Sequence, residues 1–134
     1  MSKDIKIKKG LDIQLVGEAE QTVADAPQSR TYVIKPSDFH LVTPKMLLKE
    51  GASFKAGEPL FYAKKDESIK FVSPVSGTLT EIKRGAKRVI THLIIEADGT
   101  GATVEHSKID VNSASADAIK ERMLESGLWP FIKQ

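Results

Sequence analysis

Three groups of side chains in this sequence have the types and spacing to do chemistry. The first is the charged run Lys64-Lys65-Asp66-Glu67, which lies between two strand-like segments, Pro59–Ala63 and Ile69–Ser73. An amine held at a hairpin tip can carry a covalent group, whereas a solvated tip needs only to stay wet. The second is Lys83-Arg84-Gly85-Ala86-Lys87-Arg88, which puts four cations around one turn. Such a cluster is either a solvated loop or a docking patch for an acidic partner or anionic headgroups. The third is a scatter of histidines, His40, His92 and His106. Neither a His-x-x-x-His spacing nor a paired-carboxylate spacing accompanies them, and a metal site needs three or four converging ligands. They read as structural or exposed. Ser73, Ser76 and Ser113 lack the context of a nucleophile elbow. A Gly-x-Gly-x-x-Gly fingerprint and a Walker loop are both absent from the sequence. The expectation is therefore a chain with no catalytic residue and no metal site of its own.

Composition narrows the class. At 134 residues the chain has room for one compact domain, or one domain with a small appendage. Its 20 basic and 18 acidic residues leave a net charge of +2, too even a balance to argue for nucleic acid. Cysteine is absent, which excludes disulfides, thiolate-held iron–sulfur clusters and cysteine-type zinc sites within this sequence. The segment from Met1 to Gly10 is charged and has no apolar stretch of the signal-peptide kind. No window approaches the ~18 consecutive apolar residues of a membrane-spanning helix.

The elements that must position these groups are mostly strands. Ile5–Lys8 alternates, Lys9-Gly10 turns, and Leu11–Val16 alternates loosely up to Gly17. Glu18–Arg30 is polar and reads as loop. Thr31–Lys35 is strand-like and is stopped by Pro36. Thr43–Lys49 reads as a strand before a turn, although its Leu and Met would also suit a helix. Gly51 and Gly57 bracket a tight turn. Pro59–Ala63 and Ile69–Ser73 form a hairpin around a five-residue tip, Lys64–Ser68. Thr78–Lys83 and Val89–Glu96 form a second pair around the basic turn, and Asp98-Gly99-Thr100-Gly101 closes it. Lys49-Glu50-Gly51-Ala52 and Lys83-Arg84-Gly85-Ala86 make a short repeat of charged Gly-Ala turns.

The pattern changes after residue 111. Ser113, Ser115 and Asp117 are each suited to cap a helix N-terminus. Ile119, Met123 and Leu124 share one helical face, and Gly127 is a stop signal. A helix is expected from about Ser115 to Ser126, giving a division into 1–111 and 112–134. Leu128-Trp129-Pro130-Phe131-Ile132 follows close to Gln134. So apolar a segment is expected to dock on something further along a longer chain.

The stretch from Gly57 to Gly77 resembles biotinyl and lipoyl carrier domains: a Gly turn, a strand, a hairpin, then Ser73-Pro74-Val75-Ser76-Gly77. The resemblance implies a flattened β-barrel, the barrel-sandwich hybrid, with a modified lysine at the hairpin tip. Counting from Leu60 places that lysine near Glu67. Asp66 fits the carrier pattern and Glu67 does not, nor does a methionine flank Lys64 or Lys65. Lys64, Lys65, Asp66 and Glu67 are therefore expected to form an unmodified tip.

Over the whole chain a second resemblance is more specific. Ile5-Lys6-Ile7-Lys8-Lys9-Gly10-Leu11-Asp12, Gly57–Lys65, Ser73–Thr78, Arg84–Val89 and Leu124-Glu125-Ser126-Gly127-Leu128-Trp129 occur in that order. The chain resembles the N-terminal region of the A subunit of the bacterial sodium-translocating NADH:quinone reductases. The C subunit of the Rnf-type complexes shares the barrel pattern but not the Lys-Lys-Gly-Leu-Asp opening, and it is kept as an alternative beside a carrier or binding domain. The resemblance implies a mostly β fold with a C-terminal helix. It also implies a peripheral protein on the cytoplasmic side of the bacterial inner membrane, near the quinone end of a complex that couples NADH oxidation to sodium export. Flavins, iron–sulfur centres and the NADH site are then expected on other subunits, with no cofactor on this chain. Lys83, Arg84, Lys87 and Arg88 become the candidate surface for docking those partners.

Overall fold

The computed structural model describes residue 10 and residues 16–132. The strands expected at Ile5–Lys8 and Leu11–Val16 lie, all but Val16, outside the described residues. Residues 18–29 carry no regular structure, as their polarity suggests.

Seven strands and one α-helix follow: β1 (Thr31–Ile34), β2 (Pro44–Met46), β3 (Ser53–Phe54), β4 (Pro59–Ala63), β5 (Asp66–Val72), β6 (Gly77–Arg84), β7 (Ile90–Ala97) and α1 (Ala116–Glu125). They form two antiparallel sheets, one in the order β1-β7-β6-β3 and one in the order β2-β4-β5. The sheets share one core. Leu60, Phe61, Ala63 and Phe71 come from the smaller sheet, and Phe54, Leu79, Ile90, Leu93 and Ile95 from the larger. Leu60, Phe61, Leu79, Leu93 and Ile95 are fully buried. Each such side chain stabilises the fold by roughly 1.5–3 kcal/mol relative to leaving it in water.

Bulges decide which residues reach that core. A strand alternates faces with period two. In β6 the pairing runs Leu79↔Ile95 and then Glu81↔Ile94, so Thr80 is an extra residue. The bulge turns Glu81 outward and lets Ile82 pack against the core. Nearer the turn, Lys83↔His92 is followed by Arg84↔Ile90, so Thr91 is the extra residue on β7. Ile90 and Leu93 can then both face inward. In β4 the step from Pro59↔Val72 to Phe61↔Phe71 makes Leu60 the extra residue, and two consecutive side chains are buried.

The sequence reading of α1 holds closely. Of the three capping candidates, Ser115 is the cap, its Oγ accepting from the Ala118 N–H at 3.2 Å. Ile119, Met123 and Leu124 are half-buried. Gly127 ends the helix at φ 72°, a left-handed conformation that glycine adopts at little cost. Its lack of a side chain is needed twice over, because a Cβ there would lie 2.5 Å from Val72 Cγ1. The helix and the 3-10 turn Trp129–Phe131 both pack on β5.

Candidate docking site

The two hairpins that carry the candidate residues differ in geometry. At the first, the expected five-residue tip is narrower. Ala63 pairs with Asp66, leaving Lys64-Lys65 as a two-residue apex, and regular pairing resumes only at Tyr62↔Lys70. Glu67, Ser68 and Ile69 form a bulge between those pairs. Glu67, where counting placed a carrier lysine, is thus beyond the apex. Its carboxylate accepts from the Tyr62 hydroxyl at 3.2 Å. Asp66 accepts from the Ser68 N–H at 2.9 Å and the Ser68 hydroxyl at 2.6 Å. The hydroxyl bond, more than the N–H, holds the Asp66 carboxyl below its ordinary pKa. Under the tip, Phe61 and Phe71 stack at 4.6 Å, and Phe39 packs edge-on to Phe71 at 4.6 Å.

The second hairpin, β6–β7, ends in Gly85–Val89. The Gly85 N–H donates to the Val89 carbonyl at 2.8 Å, and Ala86–Arg88 form a 3-10 turn. Val89, read from sequence as the start of a strand, is instead a turn residue and is 58% exposed. The geometry forces Lys87 and Arg88 to φ 54° and 61°. Consecutive positive φ values normally call for Asn or Gly. Lys83, Arg84, Lys87 and Arg88 are all exposed. Lys83 pairs with Glu81 at 3.8 Å, and Arg84 donates to the Arg88 carbonyl at 3.3 Å. The structure therefore brings all four predicted cations to one tip.

It also brings in residues that the sequence reading missed. The loop after β2 lies against β6. Glu50 accepts from the Ile82 N–H at 2.7 Å, so the two Gly-Ala turns of the short repeat are neighbours in space. Between them is a groove of about 370 Å³ lined by Met46, Leu47, Leu48, Lys49, Glu50, Ile82 and Arg84. Long-range pairing of β3 with β6 creates it, and no local pattern announces it.

At the opposite end of the larger sheet is an open groove of about 760 Å³, bordered by Arg30, Tyr32, Ser76, Asp98, Thr100 and Thr103 among others. Asp98 accepts from Ser76 Oγ at 2.7 Å and from the Thr100 N–H and hydroxyl at 2.9 Å. The Ser76 hydroxyl, then the Thr100 contacts, hold its carboxyl below the ordinary range. Asp98–Gly101 was read only as a turn, and the Asp-x-Thr spacing was the available signal. The preceding Pro-x-x-Gly has a packing reason: a Cβ on Gly77 would collide with the Glu96 carbonyl oxygen. His40 is exposed, and His92 and His106 are half-buried. Among the described residues no three His, Asp or Glu side chains converge as metal ligands.

The model of the NqrA N-terminal barrel-sandwich hybrid domain family matches residues 5–98. The chain belongs to this family. Two facing antiparallel sheets with a C-terminal helix are thus a barrel-sandwich hybrid, mostly β, as the sequence implied. The A subunit of the Na(+)-translocating NADH-quinone reductase of Shewanella amazonensis is 36% identical over 132 residues, covering 96% of this chain and 30% of that protein. The corresponding protein of Marinomonas sp. is 36% identical over 126 residues, covering 92% and 28%. That of Teredinibacter turnerae is 32% identical over 131 residues, covering 96% and 29%. The chain thus spans under a third of the length of these relatives. No helix among the described residues is long and apolar enough to cross a membrane.

Proposed function

We propose that this domain serves as the N-terminal part of the A subunit in a membrane-associated complex that oxidises NADH, reduces quinone and exports sodium ions. The observation that carries the reading is the similarity to such A subunits over nearly the whole chain. The role is positional. The strands from Thr31 to Ala97 supply the barrel and Ala116–Phe131 the helical segment, and together they seat the protein on the cytoplasmic face, beside the quinone end. Other subunits hold the flavins, iron–sulfur centres and NADH site, so the domain contributes no redox centre.

The first hairpin is retained as architecture. Helix α1 lies over β5, and Asp66 and Glu67 are tied to Ser68 and Tyr62, which suits a clamped hairpin better than a swinging arm. After coexpression with lipoyl and biotinyl ligases, the intact mass is expected to equal that of the sequence. An adduct on Lys64 or Lys65 would replace this reading with the carrier one.

Docking falls to Lys83, Arg84, Lys87 and Arg88. A tagged chain expressed as part of its full-length subunit is expected to co-purify with a sodium-stimulated NADH:quinone reductase activity. Changing these four residues to Glu is expected to reduce that recovery. A solitary protein without redox partners would sink the proposal.

A further inference from the structure

We propose that the β6–β7 end of the domain rests on an anionic lipid bilayer surface. This names the occupant of the docking surface above and rests on that reading for its place beside a membrane.

Charge is the first argument. Segments 46–50 and 81–92 hold five Lys or Arg and two Glu, a local charge of +3 in a chain whose total is +2. The rest of the molecule is slightly negative, so the field is polarised toward this end. Both carboxylates are engaged, Glu81 by Lys83 and Glu50 by the Ile82 N–H. Among the described residues, Lys49, Lys87 and Arg88 make no ion pair.

Shape and apolar content choose the occupant. The cations surround the exposed turn Gly85–Val89. Val89 is 58% and Leu47 47% exposed beside those cations, each on one of the two adjoining loops. Lys49 and Arg84 border a groove whose remaining walls are largely aliphatic. Long cationic side chains can lie along such walls and keep their heads at phosphate level. Aromatic anchors, which dominate protein–protein hot spots, do not line this groove. Stable membrane attachment takes two signals, and a polybasic patch beside insertable aliphatics supplies both kinds.

The backbone adds a separate indication. Lys87 and Arg88 occupy left-handed positions where glycine or asparagine would be unstrained. An observed outlier of this kind points toward function. Here the two strained positions are both cations.

The test is co-sedimentation of the chain with sucrose-loaded vesicles. One set contains equal parts phosphatidylglycerol and phosphatidylethanolamine, and the other is phosphatidylcholine alone. The protein is expected to sediment with the first set at low salt, to be released at high salt, and to ignore the second. Changing Lys83, Arg84, Lys87 and Arg88 together to Gln is expected to weaken binding at least about tenfold. The uncharged pair Leu47→Ser and Val89→Ser is expected to weaken it by about threefold to tenfold. Thermal melts of both variants, with unchanged midpoints, separate lost binding from lost folding. Failure to sediment, equal sedimentation with phosphatidylcholine, or undiminished binding of the Gln variant would overturn the lipid assignment. If the wild type ignored vesicles while the charge variant still lost its membrane complex, the occupant would be an acidic protein surface. Lipid would then be excluded while the docking role stood.

Discussion

The hairpins β4–β5 and β6–β7 are both tight, charged and antiparallel, yet one is closed and the other open. At the first, Asp66 and Glu67 are consumed by Ser68 and Tyr62, the rings of Phe61 and Phe71 stack beneath, and α1 lies across β5. The apex cations are exposed at both, Lys64 and Lys65 at the first and Lys87 and Arg88 at the second, but only the second holds its apex backbone in an unfavourable conformation. The difference teaches that charge at a hairpin tip does not by itself indicate a site. What matters is how the fold holds the tip, through bonded carboxylates and a helix against β5 at one and a left-handed backbone at the other.

The largest expected effect comes from breaking the closed hairpin at its base. Phe71→Ala removes a buried ring stacked on Phe61 and should cost about 3–5 kcal/mol in denaturant unfolding. The matching truncation at the open hairpin, Val89→Ala, should stay within about 0.5 kcal/mol. Comparable losses at the two positions would erase the distinction.

Gly127→Ala attacks the clamp itself. The left-handed backbone alone should cost about 1–2 kcal/mol, and the new Cβ meets Val72. Amide hydrogen exchange is expected to quicken in α1 and β5 and to stay unchanged in β6 and β7. Uniform quickening would mean that α1 is not a separable cover.

At the open hairpin the sign should reverse. Lys87→Gly relieves a left-handed lysine and should raise stability by up to about 1 kcal/mol while weakening attachment. A fall in melting temperature would remove the claim of local strain.

The smallest effect is a pH dependence. Asp66 and Asp98 have folded pKa values below those of the unfolded chain, the first through Ser68 and the second through Ser76. Their stabilisation is fully present above the unfolded carboxylate value and is lost as pH falls through the folded one. Ser68→Ala should raise the Asp66 pKa in a carbon-detected NMR titration and leave Asp98 where it was. A joint shift would show that the two ends of the molecule are coupled.

Much of the fold was legible because local chemistry and tertiary packing agree. Pro59–Ala63 was placed residue for residue, and α1 followed from Ser115, its apolar face and Gly127. Disagreement arose where pairing partners distant in sequence decide. Alternation along Thr78–Lys83 cannot reveal that Thr80 is skipped, because Ile94 and Ile95 impose the register. The same holds for the narrow Lys64-Lys65 apex, set by the Ala63↔Asp66 pair. For the candidate site, the four cations were visible as a run, while Leu47, Lys49 and their groove depend on a chain reversal through β3. The left-handed Lys87 and Arg88 were hidden for a further reason: their residue types argue against the conformation they adopt.

The two threonines skipped in the β6–β7 ladder have a consequence for how this hairpin can change. Thr80 adds a residue on one strand and Thr91 adds one on the other, so the offset introduced by the first is cancelled by the second. The ladder beyond Arg84↔Ile90 is therefore in step with the ladder at Gly77↔Ala97. Losing Thr80 would leave Leu79, Glu81 and Ile82 alternating in, out and in against the partners they already have, and losing Thr91 would do the same for Ile90, His92 and Leu93. Losing both would shorten the hairpin and keep its ends in phase. Length variation in this arm is thus absorbed one skipped residue at a time, on either strand, while the rungs that face the core keep their partners.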